Sequence, residues 1–295
     1  MTTNSISPLV SIITVNYNTA DVTRQLLQSL QQVTYTNIEV IVVDNASQKD
    51  ASFLKEEFPH ITFIQNKTNE GFAGGNNRGI EKAKGEIIFL LNNDTEVAPS
   101  FIEPVVALFA IDASIGIISS KLIYYNSNQT IQYAGATPLN PFTTRGKFIG
   151  SGKYDNGLYE DAAPTHLAHG AAMAIHRKVI DKIGLLPEMY FLYYEELDFA
   201  YHAKRSGFSI WCQPKSVVFH KESMSVGKMS GLKVYYMNRN RLLFIRRNIF
   251  GMTGVISRMF FVCVSAPSAM IKYILQGKWN FAENIYKGLI WNLKY

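Results

Sequence analysis

The stretch EIIFLLNNDT, residues 86–95, decides the fold, because an apolar β-rich run ends there in a polar cluster. Similar short runs precede it at residues 9–15, 38–43 and 61–64, and segments with helical spacing of apolar residues lie between them, at 21–32, 49–58 and 76–84. Strands that alternate with helices are typical of a sheet covered on both faces. The sequence therefore predicts an α/β fold with a mostly parallel central sheet.

The second half of the chain shows a weaker version of this pattern. A helix is predicted at residues 100–109, insertions at 116–164, a strand ending at 175, a helix at 199–206, and two short strands at 208–211 and 217–220. Long basic, aromatic helices are predicted after residue 227. We therefore expect a catalytic domain at 1–227, divided into halves near residue 98, and a helical tail at 228–295.

Charge is divided unequally along the 295 residues. Residues 1–227 carry 18 Lys and Arg against 22 acidic residues, whereas residues 228–295 carry 11 against one. Large apolar residues accompany the basic ones in the tail, which favours an anionic membrane surface over nucleic acid as its partner. The apolar run at 259–271 is shorter than the roughly 20 residues that cross a bilayer. Amphipathic helices attached peripherally are expected, and a cap on the catalytic domain or a homodimer contact is the alternative.

The cysteines and the N-terminus indicate the compartment. Cys212 and Cys263 lie on different segments, so they form neither a disulfide framework nor a zinc cluster. The opening MTTNSISPLV lacks the pattern of a secretory signal. We expect a cytoplasmic protein that associates with the inner face of the plasma membrane.

Polar residues follow three of the four predicted strands of the first half. They are Asn16 to Asn18, Asp44 to Ser47, and Asn93 with Asp94. Ligands of open α/β sheets bind outside the carboxyl ends of the strands, so these residues are candidates for a binding site. The alternative is turn and cap chemistry, which favours the same residue types.

A glycine-rich loop, NEGFAGGNNRG at residues 69–79, opens the predicted helix at 76–84. Small residues let backbone amides approach an anion at a helix N-terminus. Simple helix-entry geometry is the alternative. The segment matches neither the dinucleotide fingerprint nor a Walker A loop.

Carboxylates and one histidine are the candidates for catalysis and metal binding. Asp94 suits Mg²⁺ or Mn²⁺, and His220, at the end of a late strand, is a further candidate ligand, with an N-cap and a structural histidine as the alternatives. Glu195, Glu196 and Asp198 are crowded, which raises at least one pKa and suits a general base. Their alternative role is to complement a helix dipole.

Eight ordered motifs between residues 10 and 248 resemble family 2 glycosyltransferases of the GT-A fold, in particular the rhamnosyltransferase-like branch that builds bacterial surface polysaccharides. They are VSIITVNYN, VIVVDNAS, NEGFAGGNNRG, FLLNNDTEV, GAAMAIHR, YYEELDFAYHAKRSGF, VVFHKESMS and YYMNRNR. The resemblance implies an inverting transfer from a nucleoside diphosphate sugar to a hydroxyl of a saccharide or lipid-linked saccharide acceptor. It favours dTDP-rhamnose as donor, with UDP-hexoses next.

The resemblance also assigns roles to residues. Residues up to about 98 bind the nucleotide and 99–227 the acceptor. Asp94 matches the last acid of a DxD-type metal motif in which Asn92 replaces the first, His220 matches a metal ligand of some relatives, and Glu196 matches the catalytic base, with Asp198 as second candidate. The nucleotide sugar is expected to contact Asn16, Tyr17, Asp44, Asn69, Gly71, Phe72, Gly74, Asn76, Asn93 and Asp94, and the acceptor Glu195 and Gly170.

Two other functions remain open from the residues alone. A sugar-nucleotide nucleotidyltransferase uses a similar sheet but should carry a basic glycine-rich loop after the first strand, where this chain has Asn16 to Ala20. A non-catalytic nucleotide-sugar binding protein would not need Asp94 and Glu196, and a turnover assay separates it from an enzyme.

Overall fold

A computed structural model describes residues 7–222 and 230–294. Its described strands form one mixed sheet in the order β3-β2-β1-β4-β9-β6-β10-β5, with β7 paired to β6 and β8 to β10. They are β1 (Val10–Asn16), β2 (Ile38–Asp44), β3 (Thr62–Gln65), β4 (Ile87–Leu91), β5 (Thr95–Val97), β6 (Ile115–Tyr124), β7 (Ile131–Tyr133), β8 (Ala163–Pro164), β9 (Ala172–His176) and β10 (Ser209–His220).

The sheet is parallel in its first half and mixed in its second. Strands β1 to β4 are parallel to one another, β9 is antiparallel to both β4 and β6, and β10 is parallel to β6 and antiparallel to β5. The carboxyl ends of β1, β2 and β4 therefore lie at one edge of the sheet, where the sequence places its polar clusters.

Helices cover the sheet and continue into the tail. They are α1 (Ala20–Leu30), α2 (Phe53–Glu57), α3 (Gly71–Lys82), α4 (Glu103–Ile111), α5 (Arg177–Ile183), α6 (Glu195–Arg205), α7 (Gly231–Asn248), α8 (Gly251–Phe260), α9 (Ala266–Leu275) and α10 (Trp279–Lys294). A 3-10 turn spans Glu188–Tyr190, and a π-helical segment at Phe261–Ser265 joins α8 to α9.

Alternation along the strands divides the core into two layers. Ile12 and Phe89 pack in one buried cluster, whereas their neighbours Ile13 and Leu90 pack in another on the opposite face. Successive side chains of a strand point to opposite faces, so strands that are apolar at every position are buried on both sides. The α/β architecture with helices on both faces is confirmed.

Several predicted element bounds were wrong. Helix α3 begins at Gly71 rather than at residue 76, and α6 begins at Glu195 rather than at 199. The two strands predicted at 208–211 and 217–220 are one strand, β10, with an irregular register between Gln213 and Val217. Helix α5 was not predicted. The domain boundary expected at residue 227 lies outside the described residues.

The tail has its own small core and a long apolar helix. Val234, Ile245, Phe261 and Ile285 are buried together. Helices α8 and α9 with the π segment form one 25-residue helix, Gly251–Leu275, which is the one helix among the described residues that is long and apolar enough to cross a membrane, by length and composition alone. Pro267 lies inside this helix, in the first turn of α9. The wide π turn before Pro267 keeps the helix continuous, since it relieves the clash of the ring with the preceding turn.

Candidate active site

A cleft of about 620 Å³ opens at the carboxyl edge of the sheet, between β1, β4, the start of α3, the segment before α6, the end of β10 and the start of α7. It brings together most of the predicted site residues, which come from distant parts of the chain. Those that line it are Tyr17, Asn69, Gly71, Phe72, Asn76, Asn93, Asp94, Gly170, Glu195, Glu196 and His220.

Two predicted nucleotide contacts, Asn16 and Asp44, lie beneath this cleft and do not line it. Asp44 is 1% exposed, and its carboxylate accepts hydrogen bonds from Asn16 Nδ2 (2.5 Å), Ser47 Oγ (2.6 Å) and Gln65 Nε2 (2.6 Å). The amide of Asn16 also accepts from Thr23 Oγ1 at 2.9 Å. Both side chains therefore fix the ends of β1 and β2, as the turn-chemistry alternative expects.

The glycine-rich segment was predicted as a loop and is the first turns of α3. Gly71 has a φ of +70°, and a Cβ there would lie 2.1 Å from the carbonyl oxygen of Phe191. Gly74 packs against Glu70, and does not line the cleft; at Gly79 a Cβ would lie 2.4 Å from Ile13. Close packing of α3 on the sheet and on the segment before α6 accounts for these glycines.

Asn45 also lines the cleft, although it was not among the predicted contacts of the nucleotide sugar. Its Nδ2 donates to Asn69 Oδ1 and to the Gly71 carbonyl, both at 3.0 Å, and its Oδ1 accepts from the Glu70 amide at 3.1 Å. Asn45 therefore holds the entrance to α3 against the end of β2. The position of Asn45 directly after a strand was the signal available in the sequence, but asparagines that only form turns occupy the same position.

Asp94 and His220 face each other on one wall. His220 Nε2 lies 3.2 Å from Asp94 Oδ1 and has no hydrogen-bond partner among the described residues, while Nδ1 lies 2.7 Å from Gln132 Oε1. With Oε1 as acceptor, Nδ1 carries the ring proton, and the lone pair of Nε2 is available to bind a cation. Two ligands of one divalent cation lie about 3 Å apart. The donor set and its spacing fit Mg²⁺ or Mn²⁺.

Glu195 and Glu196 also line this cleft, in the first turn of α6. Three non-glycine residues just before them have left-handed backbones: Phe191 (φ 64°), Tyr193 (φ 69°) and Tyr194 (φ 77°). Conformations of this kind are costly and cluster at functional sites. A Cβ on Gly170 would lie 3.8 Å from Glu196 Cγ, so the absence of a side chain there leaves room beside the carboxylate.

The two glutamates are hard to ionise. Burial, and then the charge of Glu196, raises the pKa of Glu195 well above its ordinary value, and burial raises the pKa of Glu196. Glu195 is 3% exposed, and its Oε2 has no hydrogen-bond partner among the described residues. Burial followed by the charges of both glutamates raises the pKa of Tyr193 to about 12. Side chains of this kind suit proton transfer at the cleft.

Asp198, the second candidate for the base, is turned away from the cleft. Its carboxylate accepts from Tyr190 Oη at 2.9 Å, pairs with Arg247 at 3.2 Å, and accepts from Asn248 Nδ2. Asp198 is 3% exposed and does not line the cavity. Its contacts fasten α6 to α7, which is a structural role.

Three further cleft residues were not anticipated. His169 lies against His220 with ring centroids 6.0 Å apart, and burial lowers its pKa to about 3, so the ring is neutral. Gln132 holds His220, and Lys233, from the first turn of α7, places Nζ 5.7 Å from the Tyr193 ring. Gln132 lies in the region predicted as insertions and Lys233 in the predicted membrane tail, and no local pattern connects either with the cleft.

A sheet that is parallel in its first half and mixed in its second, with a polar cleft at the carboxyl ends of its strands, is typical of the nucleotide-diphospho-sugar transferases of the GT-A fold. The profile of Glycosyl transferase family 2 matches residues 11–184, more than half of the chain. The chain belongs to this family and is a glycosyltransferase.

Known proteins agree with this assignment. The chain is 31% identical over 243 residues to the low-salt glycan biosynthesis hexosyltransferase Agl10 of Haloferax volcanii, which covers 79% of this chain and 74% of that protein. It is similar in fold to a mannosyltransferase of Pyrobaculum calidifontis in complex with GDP-Man and Mn²⁺ (TM-score 0.60, 17% identity, 98% of this chain and 81% of that one). GalNAc-T7 with UDP, GalNAc and Mn²⁺ is also similar (TM-score 0.64, 16% identity, 92% and 59%).

Proposed function

We propose that this glycosyltransferase inverts the anomeric centre while it transfers a hexose from a nucleoside diphosphate sugar to a hydroxyl of a saccharide or lipid-linked saccharide, in cell-surface polysaccharide synthesis. One observation carries the proposal. A single cleft is lined by both the Asp94 and His220 pair and the Glu195 and Glu196 pair. An ion-binding pair and a proton acceptor are the two groups that such a displacement requires.

The donor is proposed to lie along Tyr17, Asn69 and Asn93, which line the cleft after β1, before α3 and after β4. Buried beneath the cleft, Asp44 ties the ends of β1 and β2 together. Asp94 and His220 would hold Mg²⁺ or Mn²⁺. Bound there, the ion supplies positive charge against the negative charge that develops on the departing diphosphate. Mn²⁺ in the structures of the Pyrobaculum mannosyltransferase and GalNAc-T7 supports this role. Rhamnose and other hexoses are the candidate sugars.

The acceptor is proposed to enter beside Gly170 and Glu195. Glu196 accepts the proton of the acceptor hydroxyl as the new bond between oxygen and the anomeric carbon forms and the bond to the diphosphate breaks. One displacement inverts the configuration. Glu196 is half-buried and its pKa is raised, so it has the affinity for a proton that a base needs near neutral pH.

Glu196→Gln tests the base. Gln keeps the size of the side chain but cannot accept the proton, so we expect turnover of a nucleoside diphosphate sugar to fall about 10²- to 10⁴-fold while nucleotide binding is retained. Glu81→Gln, on the exposed side of α3, is the matched control. Release of nucleoside diphosphate measures turnover, and NMR of the anomeric proton of the product gives its configuration. Wild-type turnover in Glu196→Gln, or a retained configuration, contradicts the proposal.

A thermal-shift panel tests the ion and the nucleotide base together. We expect Mn²⁺ or Mg²⁺ with UDP, GDP or dTDP to raise the melting temperature more than either alone, since the diphosphate completes the ligands of the ion. Asp94→Asn should abolish the cooperative part of the shift in melting temperature. The control variant Glu81→Gln should keep it. Equal shifts with and without Asp94 would refute the metal assignment.

Attachment to an anionic membrane surface is proposed for the long helix of the tail. Only 22% of its apolar window is buried, and Met252 (72% exposed), Met259 (58%), Ile271 (58%) and Leu275 (82%) lie open to solvent. Arg258 and Lys272 are exposed among them. We expect co-sedimentation with vesicles that contain anionic lipid, weakened by salt and by serine at these four positions. Peripheral attachment is released by alkaline carbonate, whereas retention after carbonate would show a spanning helix instead.

A further inference from the structure

The segment at 189–194, which leads into the two glutamates of α6, is held by side chains of the tail. Asn240 is fully buried in α7, and its Nδ2 donates to the carbonyl oxygens of Tyr190 (2.9 Å), Leu192 (2.8 Å) and Tyr193 (2.8 Å). One side chain thus contacts three peptide groups within four residues. This contact joins the tail to the catalytic domain at the point where the acids enter the cleft.

Arg239, the neighbour of Asn240, completes the contact. Its Nη2 donates to the carbonyl oxygens of Met189 and Tyr190, both at 2.7 Å, and its Nε donates to Asn240 Oδ1 at 2.7 Å. The last bond orients the amide so that its NH₂ group faces the segment. The two side chains act as one unit with a defined direction.

Arg239 is itself fixed from the side away from the cleft. Its guanidinium lies 4.4 Å from the Trp291 ring and 4.7 Å from the Tyr236 ring, and Asn292 Nδ2 donates to its backbone carbonyl at 2.9 Å. Helix α10 therefore supports α7, and α7 supports the segment. A buried arginine stacked on aromatic rings loses little further freedom when it forms hydrogen bonds.

The segment needs this support because its backbone is strained. Phe191, Tyr193 and Tyr194 have positive φ values, which β-carbon sterics disfavour. Asn240 holds the carbonyl groups of Leu192 and Tyr193, so the three residues would relax toward ordinary conformations if these bonds were lost. Tyr194 directly precedes Glu195, so a change in its backbone would rotate the first turn of α6. Both glutamates would then leave their places in the cleft.

We propose that Arg239 and Asn240 are positioning residues for the base, which hold residues 189–194 in the strained conformation that aims Glu195 and Glu196 into the cleft. The inference rests on the proposed function for the role of Glu196. It gives α7 a part in catalysis that is separate from any membrane attachment of the tail, and it assigns a role to two side chains of the YYMNRNR motif.

Asn240→Asp in the full-length protein is the test, because Asp has the same shape but no NH₂ group to donate. A displacement of about 1 Å at a reacting group costs about 100-fold in rate. We therefore expect kcat to fall about 100-fold, while the Kd for the nucleoside diphosphate changes less than about threefold. Asn238→Asp is the matched control, since its amide donates to the Val234 carbonyl of the same helix and to no other group among the described residues. It should keep wild-type kcat.

Hydrogen exchange provides a readout that does not depend on catalysis. Amides of residues 189–196 should exchange faster in Asn240→Asp than in Asn238→Asp, with the β1 and β4 amides unchanged. Arg239→Lys, which keeps the charge but cannot donate to two carbonyl groups and to Asn240 together, should give the same two effects at smaller size. It serves as the test if Asn240→Asp does not fold.

Unchanged kcat, unchanged exchange at 189–196, or an equal loss in Asn238→Asp would overturn the positioning role. So would a loss of kcat that comes with an equal loss of donor binding, because that would be general destabilisation. Failure of the proposed base is distinguishable. Wild-type turnover in Glu196→Gln would refute the base, whereas faster exchange at 189–196 in Asn240→Asp would still show that α7 holds the segment.

Discussion

Replacing Gly71 with alanine should disturb stability and catalysis together. Gly71 has a φ of +70°, and an added Cβ would lie 2.1 Å from the carbonyl oxygen and 2.8 Å from the carbonyl carbon of Phe191. The backbone strain of a left-handed alanine costs about 1–2 kcal/mol, and relief of the overlap about 1–3 kcal/mol more. Movement of Phe191 would also lengthen its 2.7 Å hydrogen bond from the Phe72 amide, at about 1 kcal/mol.

Gly277→Ala separates the strain from the overlap, because Gly277 has the same φ of +70° with no atom within 4 Å of the added Cβ. We expect a total of about 3–6 kcal/mol for Gly71→Ala, or a melting temperature lower by on the order of 10 °C, and no more than a few degrees for Gly277→Ala. Calorimetry measures both, and nucleoside diphosphate release should show a lower kcat in Gly71→Ala alone. Equal melting temperatures in the two variants would refute the close approach of α3 to residue 191.

Three other changes have definite expected results. Because the folded state raises the pKa of Glu195, the folded protein loses stability as pH rises from the ordinary glutamate pKa through the raised one. Glu195→Gln should remove this loss, raise the melting temperature at neutral pH and lower turnover. Asp198→Asn, which removes the carboxylate that pairs with Arg247, should cost about 2–3 kcal/mol after discounting for the 39% exposure of Arg247, with turnover retained below the melting temperature. A complete loss of turnover in folded protein would restore Asp198 as a candidate base. Glu196 must be ionised to act, and burial raises its pKa above the ordinary glutamate value of 4.5, so kcat should increase with pH in the range above 4.5. A kcat that does not change in steady-state assays from pH 5 to 9 would contradict the assignment.

The local pattern of apolar residues was sufficient to predict the parallel half of the sheet and the polar residues that line the cleft at the carboxyl ends of its strands. The apolar runs that became β1, β2 and β4 are buried on both faces, which gives them a continuous apolar signal that survives without knowledge of their neighbours. Because parallel strands end at the same edge, the polar residues after them had to lie close together. Asn93 and Asp94 line the cleft for this reason.

Long-range contacts could not be predicted in the same way. Glycine has low helix propensity, so residues 71–75 were predicted as a loop. A side chain at Gly71 would overlap Phe191 and one at Gly75 would overlap Val15 of β1, and this close packing overrides the propensity. Asn77 exchanges hydrogen bonds with Leu186, 109 residues away, at 2.9 and 3.0 Å. Asn240 lies in a basic, aromatic stretch, where charge pattern indicates a membrane surface and hides a buried amide that contacts residues 190–193.

The exposed apolar residues of the Gly251–Leu275 helix can contact only one partner at a time. A second copy of the chain and a lipid surface would compete for Met252, Met259 and Leu275, so self-association and adsorption through these residues exclude each other. A dimer that forms through them in plain buffer should dissociate when detergent or vesicles are added. The quantity of lipid carried through purification would then decide the apparent molecular mass, and two preparations of the same chain would differ in size without differing in fold.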